Sequence, residues 1–89
     1  MKTADRIRRT LTEVFSPVAL EVVDESDRHK GHAGARPEGE THFRVRITAE
    51  VFRGKGRVDS HRLIYAALGD EIAAGVHALA IEAKAPEAQ

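Results

Sequence analysis

From Phe43 to Glu50 the chain alternates apolar and polar residues without a break, Phe-Arg-Val-Arg-Ile-Thr-Ala-Glu. A strand turns successive side chains to opposite faces. Phe43, Val45, Ile47 and Ala49 therefore share one face, and Arg44, Arg46, Thr48 and Glu50 share the other. The first face has to be covered and the second stays open and basic. A chain of 89 residues has room for one domain, so whatever covers this strand must come from a single layer of helices.

Two segments have the periodicity to supply that layer. Ala4, Ile7, Leu11, Val14 and Phe15 recur at steps of three and four, predicting a helix over about residues 4–15. Thr3 is its expected N-cap, and Pro17 stops it because a proline pushes the preceding residue out of the helical region. Further on, Leu63, Ile64, Ala67, Leu68 and Ile72 mark a second helix. Asp59 or Ser60 is its expected N-cap, Gly69 weakens it by about 1 kcal/mol relative to Ala, and Gly75 is expected to end it.

Residues 18–23, Val-Ala-Leu-Glu-Val-Val, read as a strand bounded by Pro17 and Asp24, and residues 76–81, Val-His-Ala-Leu-Ala-Ile, as a last short apolar strand. Between Asp24 and Thr41 there is no apolar period of either kind. Pro37 and three glycines (Gly31, Gly34, Gly39) make this stretch a long loop, and loops beyond about 12–15 residues are usually functional or disordered. The order is α-β-β-α-β. A right-handed crossover through the second helix makes the second and third strands parallel, while the first two pair antiparallel. The expectation is an α+β fold with a mixed three-stranded sheet covered on one face by helices.

Composition narrows the chemistry. There is no cysteine, which excludes disulfides, Cys-based zinc sites and a thiol nucleophile. No apolar run approaches the roughly 20 residues of a membrane-spanning helix. The N-terminus lacks a secretory apolar stretch, so a cytoplasmic location with no membrane partner is expected. Gly54-Lys55-Gly56-Arg57 does not match a P-loop, none of Ser16, Ser26 and Ser60 sits in a nucleophile elbow, and no enzyme is expected. Net charge is zero, but residues 44–62 carry Arg44, Arg46, Arg53, Lys55, Arg57 and Arg62 against Glu50 and Asp59. Such a basic middle suits an acidic partner or a phosphate backbone.

Five histidines remain as the distinctive chemistry: His29, His32, His42, His61 and His77. His29 and His32 stand three apart in the long loop. His42 shares parity with Arg44 and Arg46 and is placed on the outward face. His61 falls in the first turn of the second helix. His77 opens the last strand, grouped by alternation with Leu79 and Ile81 at the mouth of an apolar stripe.

Four blocks, in order, make this chain resemble the BolA family: Leu20-Glu21-Val22-Val23-Asp24-Glu25-Ser26, Glu40-Thr41-His42-Phe43-Arg44-Val45, His61-Arg62-Leu63-Ile64-Tyr65 with Leu68, and Val76-His77-Ala78-Leu79-Ala80-Ile81. The resemblance implies one domain over residues 1–89, with a core of about 4–83, a flexible loop of about 25–41 and a frayed tail at 84–89. It also implies a scaffold similar to the class II KH fold. Proteins of this family partner monothiol glutaredoxins, sharing a 2Fe–2S cluster whose thiolate ligands come from glutaredoxin and glutathione. Carried over by position, His77 is one metal ligand, with His29 or His32 as the loop ligand. The cluster is then expected only in the heterodimer and no cofactor in the isolated chain, a monomer or weak homodimer. The expected function is a non-enzymatic adaptor in iron–sulfur cluster trafficking or iron-status signalling. The alternative is a KH-like transcriptional regulator binding DNA. Arg44, Arg46, Arg57, His61 and Arg62 are the expected partner or nucleic-acid surface, although the second helix opens Asp59-Ser60-His61-Arg62 where many relatives have Arg before the His.

Overall fold

The computed structural model describes residues 2–25, 42–76 and 78–87. Helix α1 (Thr3–Phe15) is followed by β1 (Ala19–Asp24), β2 (His42–Thr48), a 3-10 turn over Glu50–Phe52, α2 (Arg57–Ala67), α3 (Gly69–Ala74) and β3 (Ala78–Lys84). The sheet order is β1-β2-β3. β1 pairs antiparallel with β2, Val22 opposite Val45, and β2 pairs parallel with β3, Val45 opposite Ile81. The mixed three-stranded sheet expected from the alternation is therefore present, with the most regular strand at its centre.

The face predicted to be covered is covered. Phe43, Val45, Ile47 and Ala49 are all buried, and they share one core with Ile7 and Leu11 of α1, Ile64 of α2, and Val22, Leu68 and Ile81. Within α1 the buried line runs Ile7–Leu11–Phe15 in steps of four, a stripe that drifts by about 40° per step. Phe15 meets Phe52 of the 3-10 turn with ring centroids 5.4 Å apart. Val14, expected in the same stripe, is left on its flank, 57% exposed.

Several boundaries differ from expectation. Thr3 is not the cap of α1: Lys2 holds that position, and the Thr3 hydroxyl accepts a hydrogen bond from Arg6 Nη2 at 2.9 Å. Neither Asp59 nor Ser60 caps α2. Gly54, at φ +76°, turns the chain, and Gly56 serves as a cap without a side chain. The helix thus starts at Arg57, which moves His61 from the first turn to the second and carries Ser60 to the buried side, 3% exposed. The second helix is also two helices. Leu68, at φ −99° and ψ 16°, breaks it, and the break drives Leu68 into the core at 1% exposure. Gly75 ends α3 at φ +131°, a conformation that favours glycine.

The last strand is shifted. Val76 is buried ahead of it, and β3 begins at Ala78 and runs to Lys84, the position expected to open the loose tail. Beyond it, Arg53 Nη2 donates to the Pro86 carbonyl at 2.8 Å. Arg53 also hydrogen-bonds Glu50, and that guanidinium holds the Glu50 carboxyl below its usual range. Arg6 joins the two helical segments with both Glu71 oxygens, at 3.0 and 3.1 Å. The loop expected at about 25–41 lies outside the described residues apart from Glu25.

Leu68→Ala is expected to destabilise the fold by about 2–5 kcal/mol, as for other buried leucines. Val58→Ala, on the exposed side of α2, is expected to stay within about 0.5 kcal/mol. Urea unfolding of the two variants checks this, and equal costs would mean that the α2–α3 break does not build the core.

Candidate functional site

The open face of the sheet is built in rows across the three strands. Register places Glu21, Arg46 and Glu82 in one row, and Val23, Arg44 and Ala80 in the next. Arg46 reaches both of its neighbours, Glu82 at 3.1 Å and Glu21 at 3.6 Å. Arg44 pairs with Glu25, the residue after β1, at 3.1 Å. Cross-strand pairs of opposite charge each contribute about 0.2–1 kcal/mol. Their larger consequence is electrostatic, since the two arginines expected to make this face basic sit among three carboxylates. The glutamates were present in the sequence, but only the register brings them beside the arginines.

The other expected surface residues lie on α2. Arg57 and Arg62 are exposed and His61 is half-buried. Among the described residues neither arginine makes an ion pair, nor does Lys55. The basic stretch of the sequence therefore divides into a neutralised sheet face and a small cationic patch where α2 begins.

At one end of the sheet three strand ends meet. Glu25, following β1, donates its N–H to the carbonyl of His42 at 2.8 Å. His42 in turn opens β2 directly opposite Ala78, which opens β3. The connection carrying His29 and His32 thus leaves the sheet at Glu25 and returns at His42, and Ala78 follows His77 by one peptide bond. His29, His32 and His77 themselves lie outside the described residues. His42 was expected on the surface, yet it is 8% exposed. It stands at the start of the central strand, with its carbonyl bonded to the Glu25 N–H and with Ala78 as its register partner. Among the described residues no group of three or more His, Cys, Asp or Glu is placed to hold a metal ion. Among them, too, no helix is long and apolar enough to cross a membrane.

Comparison with known proteins gives one consistent answer. A family model described as BolA-like protein matches residues 11–88. SufE-like protein 1 of Arabidopsis thaliana, a chloroplastic and mitochondrial protein, is 51% identical over 85 residues, covering 91% of this chain but 23% of that protein. The DNA-binding transcriptional regulator BolA of Escherichia coli is 43% identical over 81 residues, covering 91% of this chain and 73% of that protein. Among solved structures, BolA1 from Arabidopsis thaliana superposes with a TM-score of 0.86 at 42% identity, covering 97% of this chain and 94% of that one.

Glu21→Gln combined with Glu82→Gln is expected to unmask Arg46 and raise non-specific affinity for single-stranded DNA at low salt, measured by fluorescence anisotropy. Unchanged affinity in the double variant would show that these glutamates do not neutralise the face.

Proposed function

This chain belongs to the BolA-like protein family, and from that premise we propose that it is a non-enzymatic adaptor that shares a 2Fe–2S cluster, as cargo, with a monothiol glutaredoxin. The observation that carries the reading is the meeting of strand ends at Glu25, His42 and Ala78. Antiparallel pairing of β1 with β2 and parallel pairing of β2 with β3 bring to one end of the sheet both ends of the histidine-bearing connection and the residue that follows His77.

The donor set fits a shared site and does not fit a self-contained one. Without cysteine, this chain offers iron no thiolate of its own. Thiolates must then come from the partner and from glutathione. His77 and either His29 or His32 are the residues proposed to hold this chain's side of the cluster. Imidazole in place of thiolate raises a cluster's potential, as in Rieske centres, and it titrates near neutral pH. The same reading places the protein in the cytoplasm, although relatives include organellar proteins.

The test is anaerobic mixing with a cluster-loaded monothiol glutaredoxin, followed by visible circular dichroism and sizing. A one-to-one complex with an altered cluster spectrum is expected. His77→Ala should abolish the altered spectrum, and only one of His29→Ala and His32→Ala should weaken it. An unaltered spectrum with the wild-type protein would sink the shared-cluster reading.

A second reading, regulation of transcription by direct binding to DNA, draws on the E. coli relative and on the cationic patch of Lys55, Arg57 and Arg62. Three phosphate contacts predict a salt slope no steeper than about −2.7 on a log–log plot, from about −0.9 per contact. A clearly steeper slope would require Arg44 and Arg46 to leave their glutamates and join the interface.

A further inference from the structure

The first turn of α2 faces a hollow closed on its other side by the end of β3. Lys55, Arg57, Ser60 and His61 line it from the helix side, and Ile81, Glu82 and Ala83 from the strand. Two features at this hollow lack partners among the described residues. The first is the backbone. The opening hydrogen bond of α2 runs from the Ser60 N–H to the Gly56 carbonyl at 3.0 Å. The amides ahead of it have no acceptor within the helix and no side-chain cap, and of these residues Arg57 lines the hollow. The second is Ser60 itself. It is 97% buried by its 3% exposure, it lines the hollow, and its hydroxyl has no hydrogen-bond partner among the described residues. A buried hydroxyl without a partner is destabilising, a cost that a ligand with acceptor oxygens removes.

The surrounding charge selects the sign and the size of that ligand. Lys55 and Arg57 make no ion pair among the described residues, and the positive end of the α2 dipole points the same way. Of the two carboxylates nearby, Glu82 borders the hollow and is ion-paired with Arg46 at 3.1 Å, and Asp59, in the first turn of α2, is exposed and does not line the hollow. Arg44 and Arg46 on the sheet and Arg53 in the preceding turn are each paired with glutamate, so none of the three extends the charge of Lys55 and Arg57 into a track. A polyanion needs a continuous cationic track, whereas one small anion needs only such a local site.

We propose that this hollow binds a single small oxyanion of the phosphate-monoester class, held by the Arg57 amide and guanidinium, the Ser60 hydroxyl and Lys55. The site uses none of the histidines assigned to the cluster, so it stands or falls independently of the shared-cluster reading. An occupant here would add negative charge at the foot of α2 and reverse the sign of the patch available to an acidic partner.

The experiment is titration of isotope-labelled protein with inorganic phosphate at constant ionic strength, following backbone amides by NMR. Saturable shifts centred on Lys55, Arg57 and Ser60 are expected. Ser60→Ala and, separately, Arg57→Gln should each raise Kd by about tenfold, the loss of one charge-assisted hydrogen bond. Arg57 is exposed, so Arg57→Gln keeps the test decisive if Ser60→Ala loosens the helix start. Non-saturating shifts, or saturation unchanged by both variants, would overturn the proposal. So would tighter binding through the same amides of an oligothymidylate lacking terminal phosphates, which would make the hollow a nucleic-acid contact instead.

Discussion

Strand β2 is the constraint from which the other elements follow. It alone is hydrogen-bonded along both edges, so its register fixes β1 and β3 together. Its inward side chains, Phe43, Val45 and Ile47, are each no more than 2% exposed. A slip of one residue would turn those three outward and bury Arg44 and Arg46. Burying unpaired guanidinium groups costs far more than any alternative pairing returns, and that difference enforces the register. Both helices are held by the same apolar row, α1 through Ile7 and Leu11, and α2 with its break through Ile64 and Leu68.

The same register decides the electrostatics of the uncovered face. A one-sided sheet leaves its central arginines in water, where a basic patch would attract polyanions without selectivity. Here the edge strands contribute Glu21 and Glu82 on either side of Arg46, and Glu25 meets Arg44. Exposed pairs of this kind add little stability. Their effect is to cancel charge on this face, whereas Lys55, Arg57 and Arg62 near the start of α2 make no ion pair among the described residues.

The period-two run of β2 and the i, i+4 line of α1 were legible in the sequence because each depends on residues adjacent along one element. The order of strands and their directions followed from connectivity alone. What the sequence concealed depended on residues distant along the chain or on backbone geometry. Gly56 caps α2 with no side chain to signal it, so the polar residues Asp59 and Ser60 drew the expected start inward. Leu68 looked like one more apolar position in a continuous helix, whereas it marks a break that Gly69 permits. His42 matched the parity of the arginines but is enclosed by neighbours that only pairing supplies. The glutamates beside Arg44 and Arg46 were separated from them by as many as 36 positions, as Glu82 is from Arg46. The candidate cluster ligands were identified by resemblance and fall outside the described residues.

Parallel pairing of β2 with β3 has a functional consequence that antiparallel pairing could not give. Had the chain returned through a tight turn, the beginning of β3 would lie beside Thr48, at the opposite end of the sheet from the connection that carries His29 and His32. The crossover through α2 and α3 instead brings Ala78 beside His42, where that connection rejoins the sheet. The helices that cover the core are also what return the chain to this end. One topological choice thus does two things: it buries the apolar face of β2, and it sets the start of β3 beside the point where the long connection returns to the sheet.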